Sequence, residues 1–263
     1  MKYGVIMNDI CVLFDMDGTL TPPRSKITKE NIFAIKKLLR ICRVGVVTGS
    51  DKDFALEQIG INLFSMGLEL FPCNGTKHYV YEDDREILVS KADSIKTVIG
   101  EAEYNQLIKE ILKLQINYID SGKVSCSGNF ISYRDSVLNW SPIGRHCSDE
   151  DRFNFEMADI AYNIRADLLK ELRSATDRLN LKNLSIKIAG STSFDIYPAG
   201  YDKTYALRSF NSIDNVWFVG DRCGENGNDK EIAEKLSERS FCVSSYKEIP
   251  GISDQIYDAI RGK

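Results

Sequence analysis

Three short apolar runs, ICVLF at 10–14, VGVV at 44–47 and VWFVG at 216–220, each pass directly into a polar turn. Apolar runs of this length, without alternation, are what a strand buried on both faces requires. After the first, Thr28 is placed to cap a helix in which Ile32, Ile35 and Leu39 recur at helical spacing. After the second, Ser50 or Asp51 is placed to cap a short helix at 51–59, and a further strand fits 66–71. Strand, helix, strand, helix, strand implies crossover connections, and so a parallel sheet covered by helices. VWFVG is followed by a helix near 228–237, a strand at 240–243 and a terminal helix, so the same pattern returns at the far end of the chain.

The middle reads differently. YVYE at 79–82 and EILV at 86–89 flank Asp83-Asp84-Arg85, a hairpin signal. Residues 101–119 form an amphipathic helix with Leu107, Ile111, Leu114 and Tyr118 along one side. FISYR at 130–134 and VLNWS at 137–141 alternate polar and apolar residues around a turn at Asp135-Ser136, as in an antiparallel sheet with one covered face. Ser148 and Asp151 resemble a capping box, a helix fits 165–179, and LSIKI at 184–188 alternates as a strand. The expected architecture is therefore an α/β fold: a parallel, Rossmann-like core from 1–87 and 189–263, with an inserted α+β domain at 88–188.

Composition narrows the chemistry. Across 263 residues, 34 basic against 38 acidic side chains give a net charge of −4, which disfavours a general nucleic-acid binder. No apolar run reaches the roughly 18–20 residues of a membrane helix. The opening MKYGVIMNDI lacks the apolar core of a signal peptide. Seven cysteines without a CxxC pair read as reduced thiols in a cytoplasmic protein. With only His78 and His146 available, a multi-histidine zinc site is implausible and a histidine-based triad is disfavoured. Acid–base or metal chemistry must come mostly from carboxylates.

The stretch that meets this requirement is Val12-Leu13-Phe14-Asp15-Met16-Asp17-Gly18-Thr19-Leu20-Thr21. Ligands of open parallel sheets bind beyond the carboxyl ends of the strands, where Asp15 is the first polar residue. Asp17 follows two residues on, and Gly18 permits a tight turn. Two carboxylates this close repel unless a cation or a proton relieves them, and a hard cation such as Mg²⁺ suits oxygen ligands. One carboxylate can then attack phosphorus while the other moves a proton. A bare Asp-x-Asp more often caps a turn. The full string DxDGTLT after an apolar strand resembles the first motif of the haloacid dehalogenase superfamily of phosphotransferases, whose nucleophile is the first aspartate.

That resemblance implies three further parts. A phosphate-binding turn at the end of the next core strand matches Thr48-Gly49-Ser50. A lysine near the start of a later helix matches Lys203. An acidic site past another buried strand matches Asp221, with Asp229 eight residues later. Asp15, Asp17, Asp221 and Asp229 are then the expected Mg²⁺ ligands.

The likeness narrows further. FDMDGTLTPPRSKIT, GVVTGSD at 45–51, FPCNG at 71–75, FISYRDSVLNWSPIGRHCSDEDR at 130–152, STSFDIYPAGYDK at 191–203 and GDRCGENGNDKEI at 220–232 resemble the eukaryotic-type phosphomannomutases. The resemblance implies that the inserted domain is a mobile, C2-type cap, and that the protein is a homodimer through it. It implies that Arg24, Arg134, Arg145 and Arg152 hold substrate phosphate, and that Ser193 and Asp195 contact the sugar. Guanidinium groups suit this role because they bind phosphate through paired, charge-assisted hydrogen bonds. The implied activity interconverts mannose 6-phosphate and mannose 1-phosphate, with Mg²⁺ and a hexose 1,6-bisphosphate activator. Thr48 stands where the family has glycine, Cys73 where it has glutamate, and Arg222-Cys223-Gly224 departs from the family's loop. A Mg²⁺-dependent sugar-phosphate phosphatase is the rival that Thr48 favours. A catalytically silent sugar-phosphate binder is the other rival, and the intact Asp15, Asp17, Lys203 and Asp221 argue against it.

Overall fold

The computed structural model describes residues 10–122, 125–225 and 227–262. Residues 1–9 of the stretch read above for a signal segment lie outside these. The chain divides into two compact units, residues 1–92 with 201–263, and residues 93–200.

The first unit is built on a seven-stranded sheet. Its strands are β1 (Cys11–Phe14), β2 (Arg43–Val47), β3 (Leu68–Phe71), β4 (Lys77–Glu82), β5 (Arg85–Lys91), β10 (Val216–Gly220) and β11 (Ser240–Cys242), in the order β11-β10-β1-β2-β3-β4-β5. The five strands from β11 to β3 are parallel, and the hairpin β4–β5 adds two antiparallel strands at one edge. β1 lies between β2 and β10, and its four residues are fully buried, as the unbroken apolar run requires. Val12 and Phe14 pack into one core with Ala34, Ile35 and Val219, whereas Cys11 and Leu13 pack into another with Ala206, Phe218 and Ile232. A period of two along β1 thus feeds both layers of the sheet.

Local signals set the helices. Thr28 accepts from the Asn31 amide at 3.2 Å and starts the helix Lys29–Leu38. Asp51 rather than Ser50 caps the helix Lys52–Ile59, accepting from the Phe54 amide at 2.9 Å. Toward the hairpin, buried Glu69 accepts from Arg43 at 2.6 and 2.8 Å and pairs with His78 Nε2 at 2.7 Å. Burial alone would raise this carboxyl's pKa, but the Arg43 and His78 contacts hold it below the usual carboxylate range.

The second unit holds an antiparallel sheet of β6 (Ile131–Tyr133), β7 (Leu138–Trp140), β8 (Leu184–Ala189) and β9 (Ser193–Pro198), ordered β6-β7-β9-β8. The helices Glu101–Asp120 and Ile164–Arg178 supply its core with Leu107, Ile111, Leu168 and Leu172, packed with Trp140, Phe194 and Ile196. Ser148 caps the helix Asp149–Tyr162 through the Asp151 amide at 3.0 Å.

Two expectations need correction. The second unit spans 93–200, not 88–188. The hairpin's return strand runs on to Lys91 in the core sheet, and Ser193–Pro198 is a strand between β7 and β8 rather than a return to the core. The cysteines are not all thiols, because Cys223 and Cys242 form a disulfide. The pair is 19 residues apart in sequence, and parallel pairing of β10 with β11 brings the two ends together. Among the described residues no helix is long and apolar enough to cross a membrane.

Candidate active site

The carboxyl ends of β1 and β10 lie side by side, and the Asp15 amide continues the ladder by donating to the Val219 carbonyl at 2.8 Å. Asp15 therefore leaves the sheet beside the turn that carries Asp221. Gly18 makes this approach possible. It sits at φ +91°, and a Cβ there would lie 2.6 Å from Asp221 Oδ2. Gly220 is constrained in the same way, since a Cβ would come within 2.7 Å of Asp229 Oδ2.

Oxygens of Asp15, Asp221 and Asp229 all lie within 4.8 Å of one another. Lys203 enters this group from the start of the 3₁₀ helix Lys203–Ser209, and its ammonium donates to both Asp15 and Asp229. The lysine is 1% exposed and Asp229 is fully buried. Thr19 Oγ1 donates to Asp221 at 3.3 Å, and the Arg222 amide to Asp229 at 3.0 Å. Burial pushes the Asp15 carboxyl up to about 8; Lys203 opposes this, and Asp229 and Asp221 add to it. Asp221 is raised by burial and by Asp229. Burial would lower the Lys203 pKa, but the attraction of Asp15 and Asp229 outweighs it and raises it. Three clustered carboxylates against one ammonium leave negative charge in a site largely closed to water. Oxygen-only donors with this surplus fit a hard divalent cation.

Of the four expected metal ligands, the structure brings together Asp15, Asp221 and Asp229. The Asp17 side chain is held elsewhere: its Oδ1 accepts from Gln58 Nε2 at 3.1 Å and from the Arg24 amide at 2.8 Å. Gln58 is buried and also accepts from Thr21 Oγ1 at 2.7 Å, so it fixes the orientation of Asp17. Sequence reading missed Gln58. The available signal was an amide on the apolar side of an amphipathic helix, beside buried Ala55 and Ile59.

Thr48 follows β2 and is buried, with its hydroxyl accepting from the Ser50 amide at 3.1 Å. The Cys73 and Asn74 amides donate to the Ser50 and Thr48 carbonyls at 2.8 Å each, so this turn and the FPCNG turn brace one another around Gly49. Arg24 is exposed at φ 55°, its guanidinium 5.7 Å from the centre of the Phe54 ring.

In the second unit the expected residues gather on the sheet around one that was not anticipated. Asn139 pairs in register with Asp195 across β7 and β9. Its amide donates to Asp195 at 2.7 Å and to Ser193 Oγ at 3.2 Å, while its carbonyl accepts from Arg145 Nη1 at 3.0 Å. Arg134 Nη1 lies 4.0 Å from Asp195 Oδ1, and Arg152 donates to Thr192 Oγ1 at 3.0 Å. Arg134, Arg145, Ser193 and Asp195 thus form one network through Asn139, and Arg152 stands at the neighbouring Thr192. The alternation in VLNWS carried the signal for Asn139: with Leu138 and Trp140 turned to the core, the asparagine between them takes the other face.

The family model for eukaryotic phosphomannomutase matches residues 31–258. The chain belongs to this family. The Spinacia oleracea phosphomannomutase is 37% identical over 224 residues, 85% of this chain and 86% of that protein. The Dendrobium officinale phosphomannomutase is 38% identical over 235 residues, 89% and 88% of the two chains. Solved structures show likeness at the level of fold. A Plasmodium falciparum IMP-nucleotidase superposes with a TM-score of 0.64 at 13% identity, covering 95% of this chain and 70% of that one. A haloacid dehalogenase-like hydrolase from Bacteroides thetaiotaomicron gives a TM-score of 0.57 at 14% identity, covering 94% and 99%.

Proposed function

We propose that this chain is a phosphomannomutase that interconverts mannose 6-phosphate and mannose 1-phosphate through a phosphorylated Asp15 and a hexose 1,6-bisphosphate. The observation that carries the reading is the buried ammonium of Lys203 hydrogen-bonded to Asp15 within a cluster of three carboxylates. Asp15 attacks phosphorus, and its acyl phosphate then donates to the free hydroxyl of a hexose monophosphate. Asp17, oriented by Gln58 and the Arg24 amide, takes that hydroxyl's proton. Lys203 offsets charge on the transferring oxygens. Asp15, Asp221 and Asp229 would hold Mg²⁺, which when bound adds positive charge opposite those same oxygens. Thr48, Gly49 and Ser50 form the phosphate-binding turn.

The inserted unit acts as a cap. Arg134, Arg145 and Arg152, together with Arg24, hold the phosphate that is not reacting, and Ser193 and Asp195 contact the sugar. Such a set suits a doubly phosphorylated intermediate that must reverse its ends. We also read the protein as a cytoplasmic homodimer that joins through this unit. Support comes from two unpartnered apolar stripes at helical spacing: Leu112, Ile116 and Ile119 on one helix, and Phe153, Met157 and Ile160 on another.

Buried Thr48 at the phosphate-binding turn favours a second reading, a phosphatase that resolves phospho-Asp15 with water. A coupled assay on mannose 1-phosphate, with and without glucose 1,6-bisphosphate, separates the two. A mutase accumulates the 6-phosphate, responds to the bisphosphate and releases little free phosphate. Phosphate released as fast as substrate disappears, with no 6-phosphate, assigns the phosphatase.

A further inference from the structure

We propose that Cys223 and Cys242 are a thiol–disulfide switch that stiffens or frees the turn carrying Asp221 and Asp229. The proposal rests on the reading above only in taking those two acids as part of the active site.

Two independent features support it. The first is position. Cys223 lies two residues after Asp221, and its neighbour Arg222 is tied to Asp229 twice: the Arg222 amide donates to Asp229 Oδ2 at 3.0 Å, and the Asp229 amide donates to the Arg222 carbonyl at 3.1 Å. A covalent bond from Cys223 to the end of β11 therefore anchors the backbone that sets both carboxylates. The second is accessibility. Cys242 is exposed and Cys223 half-buried. Of the five free cysteines, Cys11, Cys42, Cys73 and Cys147 are buried and Cys126 is partly so. Burial pushes the Cys42 thiol up to about 12 and raises that of Cys11 well above its ordinary range, so both are unreactive. An isolated, solvent-accessible disulfide among buried thiols has the character of a labile, regulatory bond rather than a structural framework.

The exchange balances with an external dithiol, or with two molecules of glutathione. A thiolate attacks the exposed Cys242 sulfur, the Sγ–Sγ bond breaks, and Cys223 leaves as a thiolate that takes a proton. The second thiol resolves the mixed disulfide, so the protein gains two electrons and two protons and the reductant is released as its disulfide. With the bond open, the turn loses its covalent tie to β11, and the carboxylates it positions are less well organised for a divalent cation.

The test uses the full chain equilibrated with oxidised glutathione or with a phosphine reductant, in the absence of sugar phosphate. Alkylation under denaturing conditions should count five thiols in the first state and seven in the second. Binding of Mn²⁺ alone, read by electron paramagnetic resonance, should weaken about 10-fold on reduction. Amide exchange at Arg222 and Asp229 should accelerate in the same state. Cys242→Ser, with Cys223→Ala as a second variant, should count six thiols and hold the reduced-state Mn²⁺ affinity and amide exchange under both conditions. Seven thiols in both states, or a change from five to seven with amide exchange unaltered, overturns the proposal. If Mn²⁺ binds neither form, the exchange difference alone decides. None of these readouts needs a turnover, so a redox response without mutase activity rejects only the proposed function, and mutase activity without a redox response rejects only the switch.

Discussion

Lys203 stands 188 residues after Asp15 in sequence, yet its ammonium is hydrogen-bonded to the Asp15 carboxylate with both groups almost wholly shielded from water. Removing either charge has different consequences. Asp15→Asn keeps the shape, leaves Lys203 paired with Asp229 and removes the attacking oxygen. Turnover should fall by several orders of magnitude while the thermal midpoint stays close to that of the parent. Lys203→Met instead leaves buried carboxylates facing one another, and should cost about 3–5 kcal/mol in urea unfolding. Substantial turnover in Asp15→Asn would sink the covalent route.

The raised pKa of Asp15 makes its behaviour pH-dependent. Its folded-state value, about 8, lies above the ordinary 3.8, so the folded protein favours the protonated carboxyl. This group's contribution to stability is complete below the ordinary value and is lost as pH rises toward 8. A bound cation favours the carboxylate and cancels that loss. Mg²⁺ should therefore raise the melting temperature more at pH 8.5 than at pH 5.5. The acid limb of kcat/KM should move to lower pH as Mg²⁺ is increased. Melting curves and rate profiles that ignore Mg²⁺ at both pH values would contradict the assignment.

Gln58 should be a positioning residue. Gln58→Leu removes the contact that orients Asp17 and leaves the buried Thr21 hydroxyl without that acceptor. We expect kcat to fall about 10- to 100-fold with KM little changed, because proton transfer suffers while phosphate binding does not. A rise in KM at constant kcat would assign Gln58 to substrate binding instead.

Asn139 has the same standing in the other unit. Asn139→Leu should disturb Arg145, Ser193 and Asp195 together. Mutase activity should fall more than hydrolysis of a small activated phosphate ester, which has no distal phosphate to hold. Arg145→His should show the same selectivity, since it loses paired phosphate contacts and most of its charge at neutral pH. Equal losses on both substrates would point to misfolding.

The dimer is tested on the exposed stripes. Ile116→Lys combined with Ile160→Lys should convert a dimer to a monomer in light scattering while leaving the circular dichroism spectrum intact. A parent protein that is already monomeric at micromolar concentration removes the dimer reading.

Much of this was legible in the chain. The core strands announce themselves because burial on both faces demands unbroken apolar runs, and Asp15 and Asp221 stand where two of those runs stop. Less visible were the features that depend on long-range pairing. Gln58 and Asn139 carry no charge and no motif, and each matters because of what the fold sets opposite it. Ser193–Pro198 reads as a binding motif, and only its pairing with β7 and β8 shows it as an interior strand. The disulfide was hidden for the same reason: spacing in sequence does not disclose that β10 and β11 run side by side. The different settings of Asp15 and Asp17 were equally hidden: two residues apart in sequence, the first faces Lys203 and the second accepts from Gln58 and the Arg24 amide.

The place of β1 between β2 and β10 has a consequence for synthesis. As the chain leaves the ribosome, β2 and β3 can join β1 at once, but its other edge stays open until residues 216–220 have been made. The inserted unit is continuous in sequence from 93 to 200 and holds all four strands of its own sheet, so it can mature in the interval. The nascent core meanwhile carries Asp15 without Lys203, Asp221 or Asp229. A chain stalled before residue 203 thus holds the whole sequence of the insert, an unsealed sheet edge and one member alone of the cluster that Asp15, Lys203, Asp221 and Asp229 form.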